Sequence, residues 1–326
     1  MAEAEPLLVA DQARIAVDGA VAIDRLTLAT RGDRVLFAGD AGALFAAVTQ
    51  VPLSARIGAL AASPTARPLP RGPREDEDAP LGEASVVAGS LRLAGHEVSE
   101  DRHLAVMGAA PLDPPIPARW TAEEYLRWGA RLGGATARQA RELAPAVLAR
   151  MGLGASRAKL GSALSLPERR ALVLAQAVVL SPEVLVAEAP LEGLEGAAAA
   201  FVMQAIGRAS EGRRVLLSAA RLDPGSAEGA LAREASQVLV MAGGALALEG
   251  TPAELFSGAT VVSLTVTRNA DALRAELGAR GLDLRGGAQG GARFSVILPA
   301  GMGTRELLLA AQTARAAVIE MVPLIG

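Results

Sequence analysis

Val35-Leu-Phe-Ala-Gly-Asp-Ala-Gly-Ala-Leu-Phe-Ala-Ala-Val48 is the stretch on which the fold turns. A hydrophobic strand runs into a Gly-rich turn and a helix follows. That is the layout of a phosphate-binding loop, whose pattern is G-x-x-x-x-G-K-[ST]. In one version of the loop an extra Gly precedes the final one by two positions. Gly39 and Gly42 then fall where two of the glycines belong. Leu44 takes the place of the last Gly, Phe45 that of the lysine and Ala46 that of the Ser/Thr. The chain holds a single lysine, Lys159, so no neighbour supplies the missing charge.

Each replacement has a physical consequence. The lysine is the point charge on the β- and γ-phosphates, and the hydroxyl is a magnesium ligand. Phe45 and Ala46 do neither. Asp40 adds a carboxylate at the rim of a ring of backbone N–H groups that would otherwise attract an anion. An apolar ring at position 45 also suggests a plug in the phosphate pocket. Taken alone, the fragment leaves a second reading open, a strand–turn–helix with no ligand at all.

Composition narrows the class. The 326 residues are enough for two domains, and 51% hydrophobic content is ample for a core. Aromatic residues make up only 2%, so that core is built from Ala, Leu and Val. A net charge of −3 gives no basic field for nucleic acid. Cysteine is absent, which excludes disulfides and thiolate metal sites. His96 and His103 lack metal-ligand spacing and read as surface or loop residues, so no metal site is expected. No run reaches the ~18 apolar residues that span a bilayer, and the start lacks a signal-peptide pattern. The expectation is a cytoplasmic chain without direct membrane insertion.

Outward from the loop, Leu26–Thr30 and Arg34–Ala38 read as strands joined at Arg31-Gly-Asp33, with a helix over about 43–51. Residues 62–84, with five prolines around Arg74-Glu-Asp-Glu-Asp78, read as a flexible acidic loop. Ser90–Ala94 is strand-like. Residues 121–153 read as helical, with Thr121 and Glu124 forming a capping box. Trp120 and Trp128 there are either core or anchors of a contact surface. Leu164-Ser-Leu-Pro-Glu168 opens a helix to about Leu180, with Ser165 as N-cap, Pro167 in the first turn and Glu168 closing the box. Strand Val184–Ala187, helix 196–210, strand Arg214–Ser218, strand Gln237–Ala242 and a Gly-Gly hairpin into Leu246–Leu248 follow. Residues 260–326 read as a separate unit of order βαββαβ, which is ferredoxin-like.

Together, residues 7–258 resemble the ATP-binding subunit of an ABC transporter. Gly89–Val98 is similar to the family's strand and turn after the Walker A helix, and Thr121–Leu126 to the start of its helical subdomain. Leu164-Ser-Leu-Pro-Glu168 sits where the family has its Leu-Ser-Gly-Gly-Gln signature. Pro182–Pro190 sits on the Walker B segment, Glu192-Gly-Leu-Glu195 on the D-loop, and Arg214–Ser218 leads to the switch position. Val238–Leu255 is the clearest single match, to the closing hairpin and helix. The resemblance implies an α/β fold: a P-loop NTPase-like ABC ATPase core over 1–258 with a helical subdomain at about 109–160. A small C-terminal α+β ferredoxin-like domain over 260–326 completes it.

The departures fall on the chemistry. The family's metal-binding Asp is Glu188, its catalytic Glu is Ala189 and its switch His is Ala220. Ala189 cannot orient a water. The signature glycines are Leu166 and Pro167; one adds a Cβ and the other lacks the N–H. No glutamine lies between Gln50 and Gln139, so the Q-loop ligand is missing, and no aromatic precedes Phe37 to stack adenine. An arginine finger alone is worth ~10³–10⁵ in rate, so several such losses leave negligible turnover.

The resemblance thus implies a pseudo-ATPase with no catalytic residues, which binds neither ATP nor magnesium, or only weakly. Gly39, Asp40, Gly42, Leu44, Phe45, Ala46, Ser165, Glu188, Ala189, Glu195 and Ala220 are its vestigial site positions. The implied partners are a membrane permease and a second ABC ATPase-like subunit, as a homo- or heterodimer at the cytoplasmic face of the inner membrane. The docking groove maps to about Ala109–Arg131, with Trp120, Tyr125 and Trp128 as candidate contacts. Two alternatives stand beside this one: a cytoplasmic scaffold or regulator detached from transport, and the non-hydrolysing half of a composite ATP site. Ser165 is the one residue that supports the latter.

Overall fold

The alternation of Arg34–Gly39 (β3) explains the centre of the molecule. Val35 and Phe37 point into one hydrophobic cluster, while Leu36 and Ala38 point into another on the opposite face. Successive side chains of a strand face opposite ways, so a strand covered on both faces is apolar throughout. Val184–Ala187 (β7) and Arg214–Ala219 (β8) divide their side chains in the same manner.

The computed structural model describes residues 5–52, 82–100, 102–257, 260–285, 293–299 and 301–325. Leu8–Val17 (β1), Ala20–Ala29 (β2), Ala84–Leu93 (β4) and His96–Glu97 (β5) form an antiparallel sheet of order β2-β1-β4-β5. Helix Gly42–Thr49 (α1) follows β3. Met107–Ala110 (β6), β7, β8, β3 and Gln237–Ala242 (β9) run parallel, and Ala245–Gly250 (β10) adds an antiparallel edge to β9. The sheet order is β10-β9-β3-β8-β7-β6. One cluster lies between this sheet, α1 and the antiparallel sheet; the other joins the sheet to the helices.

Those helices are Ala122–Leu132 (α2), Ala137–Arg150 (α3), Leu166–Val178 (α4) and Gly196–Ser210 (α5), with the short Ala227–Arg233 (α6) and Pro252–Ser257 (α7). Sequence reading treats 121–153 as one helical span. The chain divides it at Gly133-Gly134, and Thr136 with Gln139 recaps the second piece. Helix α4 stops at Val178, short of Leu180, because Ser181 takes a left-handed turn at φ 57°. Most of the expected 62–84 loop lies outside the described residues. Its last residue, Ala84, already belongs to β4, and Asp18 receives the N–H groups of Gly82 and Glu83.

Thr260–Arg268 (β11), Ala270–Ala279 (α8), Asp283–Arg285 (β12), Arg293–Leu298 (β13), Thr304–Thr313 (α9) and Ala317–Ile325 (β14) follow in the order βαββαβ. Their four strands are antiparallel in the order β12-β13-β11-β14, compatible with the ferredoxin-like expectation. This unit has a cluster of its own around Leu264, Leu277, Phe294 and Leu307. It also packs against the larger unit. Val261, Leu324 and Ile325 belong to the helix-side cluster of the large sheet.

Candidate functional site

In an open α/β sheet, ligands bind outside the carboxyl ends of the strands. Here β3, β8 and β7 lie side by side, so Gly39, which ends β3, neighbours Ala220 and Glu188, which follow β8 and β7. The loop after β3 is folded tightly on itself. Gly39 sits at φ 82°, and a Cβ there would lie 2.2 Å from the Met241 carbonyl oxygen. The glycine therefore serves the close approach of β9. The Asp40 N–H donates to the Met241 carbonyl at 3.0 Å, and the Ala41 N–H donates to the Gly39 carbonyl at 2.8 Å. These amides, which an anion-binding loop would aim at its ligand, are bonded within the protein.

Helix α1 starts without help. Its N-cap is Ala41, with no side-chain cap and no acid in the first turn. Leu44, Phe45 and Ala46 are all buried. The Phe45 ring meets that of Phe37 edge-on, with centroids 6.0 Å apart, inside the cluster beneath the antiparallel sheet. That corrects the expectation of a plug: the ring turns down into the core. A cavity of ≈550 Å³ remains beside the loop, lined by Asp40, Gly42, Ala43, Ile23, Gly243 and Arg293.

Asp40 does more than face solvent. It accepts the Gly243 N–H at 3.2 Å and lies 3.5 Å from the Arg293 guanidinium, which also reaches Glu320. The carboxylate thus connects the loop to the β9–β10 turn and to the carboxy-terminal unit.

After β7, Glu188 is buried and accepts the Leu112 N–H at 3.4 Å. Ala189 stands at φ 38°, an unfavourable region for a residue with a Cβ, and donates its N–H to the Ser218 hydroxyl at 3.0 Å. Ala220 is exposed in the bend after β8. Glu195 is the exposed N-cap of α5 and lines a ≈440 Å³ crevice with Gly193, Arg221, Asp223 and Glu228. It is not brought to the loop cavity. Among the described residues, no group of three or more His, Cys, Asp or Glu could hold a metal ion.

The signature position forms a helix start of the opposite kind. Ser165 and Glu168 make a reciprocal capping box at α4. Glu168 also receives the Ser156 hydroxyl and the Lys159 ammonium, the latter at 2.7 Å. Burial pushes this carboxyl up, but the bonds from Lys159, Ser156 and both donors of Ser165 outweigh it and hold it at about 2. The Ser165 hydroxyl is committed to Glu168 at 2.9 Å.

On the helical subdomain, Trp120 and Trp128 pair edge-on at 5.5 Å, and Trp128 is 47% exposed. Leu132, Leu160 and Leu180 are exposed as well. Tyr125 departs from the expectation. It is buried in the core, and burial, opposed by Arg169, pushes its phenol up to about 12. A second correction concerns His103, which is buried with its Nε2 2.8 Å from the Val48 carbonyl. Sequence reasoning missed Gly243, Arg293 and Leu324 as neighbours of the loop. They lie some two hundred or more positions away, and no local pattern marks them.

No family model matches the chain. Over 114 residues, 34% of its length, it is 32% identical to the phosphonates import ATP-binding protein PhnC 2 of Roseobacter denitrificans, a match spanning 40% of that protein. Over 199 residues, 60% of its length, it is 29% identical to the human phospholipid-transporting ATPase ABCA7, spanning 9% of it. The chain thus matches well under two thirds of the length of these relatives. Among solved structures, cbiO1 from Clostridium perfringens, described as part of the ABC transporter complex cbiONQ, superposes with a TM-score of 0.56 at 16% identity. That superposition covers 78% of this chain and 91% of cbiO1. An ATP binding subunit of an ABC transporter gives 0.53 at 14% identity, covering 94% and 99%. The resemblance to ABC transporter ATP-binding subunits therefore holds in sequence, and the fold is theirs.

Proposed function

We propose that this chain is a non-hydrolysing ABC ATPase-like subunit that serves as a structural and docking partner in a membrane transporter complex. One observation carries the reading most: Phe45, the residue at the lysine position, lies in the core. The replacement of the catalytic Glu by Ala189 and of the switch His by Ala220 supports it. The commitment of the Ser165 hydroxyl to its own helix cap weighs against the composite-site alternative.

The docking half rests on the helical subdomain. Trp120 and Trp128 offer an amphipathic anchor of the kind that dominates contact surfaces. Exposed Leu132, Leu160 and Leu180 extend it. The partner is a membrane permease, with a sister ATPase supplying hydrolysis, and the chain works at the cytoplasmic face. Among the described residues, no helix is long and apolar enough to cross a membrane.

Calorimetry with ATP–magnesium at millimolar concentration tests the first half. No heat is expected, and clear saturable binding would overturn it. Affinity capture from detergent-solubilised membranes tests the second. The wild-type chain should recover a permease, and Trp128→Ala should weaken that recovery by roughly 30-fold, as the loss of an aromatic hot spot does. Recovery from the soluble fraction alone would favour the scaffold alternative.

A further inference from the structure

Strand β14 is unevenly buried. Ile319 is 66% exposed and Glu320 faces solvent, whereas Leu324 and Ile325 are almost fully enclosed. Packing within the carboxy-terminal unit does not explain the difference, because its own cluster draws on β14 at Val318 and Met321. The tip is enclosed by the other unit. The Leu324 carbonyl accepts the Leu222 N–H at 2.7 Å, and Ile325 bridges Leu222 in parallel. Leu222 lies three residues beyond the end of β8. A Leu324 methyl lies 3.2 Å from where a Cβ of Gly39 would be, at the end of β3. The tip therefore lies across the carboxyl ends of two adjacent parallel strands, the part of such a sheet that takes ligands.

We propose that Leu324–Ile325 is a built-in occupant of this end of the sheet. It ties the segment after β8 to the loop after β3, as a bound ligand would, and anything entering from solution must first displace it. Three observations converge on this role. The backbone bond to Leu222 holds one side, the Leu324 side chain packs beside Gly39 at the end of β3, and Arg293 reaches Asp40 from the same unit. The inference does not depend on docking or on the absence of hydrolysis, so a chain that recovered no permease would leave it standing.

Residue-resolved hydrogen exchange on the full chain tests it. The Leu222 amide has its partner on β14, whereas the amides of β8 answer to the sheet. In the wild type the Leu222 amide should exchange at least about 100-fold more slowly than an unprotected amide. Leu324→Ala should speed Leu222 at least about tenfold and leave Val215 and Leu217 within about twofold. Ile325→Val, a milder change, should act in the same direction. Leu307→Ala, in the cluster of the carboxy-terminal unit, should loosen that unit's amides more than it loosens Leu222. The proposal is overturned if Leu222 is unprotected in the wild type, or if both tip variants leave it unchanged. It is equally overturned if the tip variants speed Leu222 and β8 together, because the tip would then support the whole sheet and not the strand ends in particular.

Discussion

Two helix starts in this molecule stand where the fold would place nucleotide contacts, and they are stabilised in opposite ways. Helix α4 begins at Ser165 with a reciprocal capping box, a nearby hydroxyl and the chain's one lysine. Helix α1 begins at Ala41 with no side-chain cap. Its loop is held instead by Met241, Gly243, Arg293 and Leu324. Local chemistry suffices at one junction. At the other, distant parts of the chain do the work. The comparison teaches that a helix start can be secured by two routes: by its own capping side chains, or by tertiary contacts from distant parts of the chain.

The contrast breaks most readily at Phe45. Phe45→Lys introduces the lysine of the phosphate-loop pattern but places an ammonium among Phe37, Leu44 and Val48. It should destabilise the fold by about 3–5 kcal/mol, as an unpaired buried charge does, measured by chemical denaturation. A stable variant that gained ATP binding would show that the loop is a dormant site.

At the other junction, Glu168→Gln should cost about 1–2 kcal/mol, the scale of a lost cap with its charge. The pH dependence sharpens the point. The folded carboxyl is held at about 2, below its ordinary 4.5. Its contribution is thus fully present above 4.5 and is lost as pH falls towards 2. Acid titration should show the wild type losing stability across that window and Glu168→Gln losing less.

Ala189→Gly should be neutral to stabilising by about 1 kcal/mol. Glycine relieves the left-handed backbone but adds freedom to the unfolded chain. A clear loss would mean that the Ala189 methyl packs more usefully than its backbone suggests. The smallest effect belongs to Arg293→Ala. The pair with Asp40 is long and half-exposed, so about 0.5 kcal/mol is expected, and it should vanish in high salt. A larger, salt-resistant effect would mean that Arg293 holds the loop by packing and not by its charge.

What was legible in the sequence follows the same division. The short apolar runs of β3, β7, β8 and β9, the Ser165–Glu168 box and the βαββαβ order could all be read, because each is a short-range pattern. The division of 121–153 was missed although its signal, Gly133-Gly134 followed by Thr136 and Gln139, was present. The burial of Tyr125 and His103 was not legible, since a lone ring or imidazole carries no mark of its depth. The partners of Asp40 depended on β9, the β9–β10 turn and β13 arriving at the loop. No window of local sequence contains them.

The ion pair between Lys159 and Glu168 has a practical side. It uses the only lysine side chain in the protein. Amine-directed cross-linkers, the usual means of mapping a complex by mass spectrometry, would find one side-chain amine on this subunit, beside the start of α4. A surface elsewhere, that of Trp128 included, could be in full contact with a neighbour and leave no cross-link. Maps of any assembly containing this chain should therefore rely on its 35 carboxylates, and silence from amine chemistry should not be read as distance.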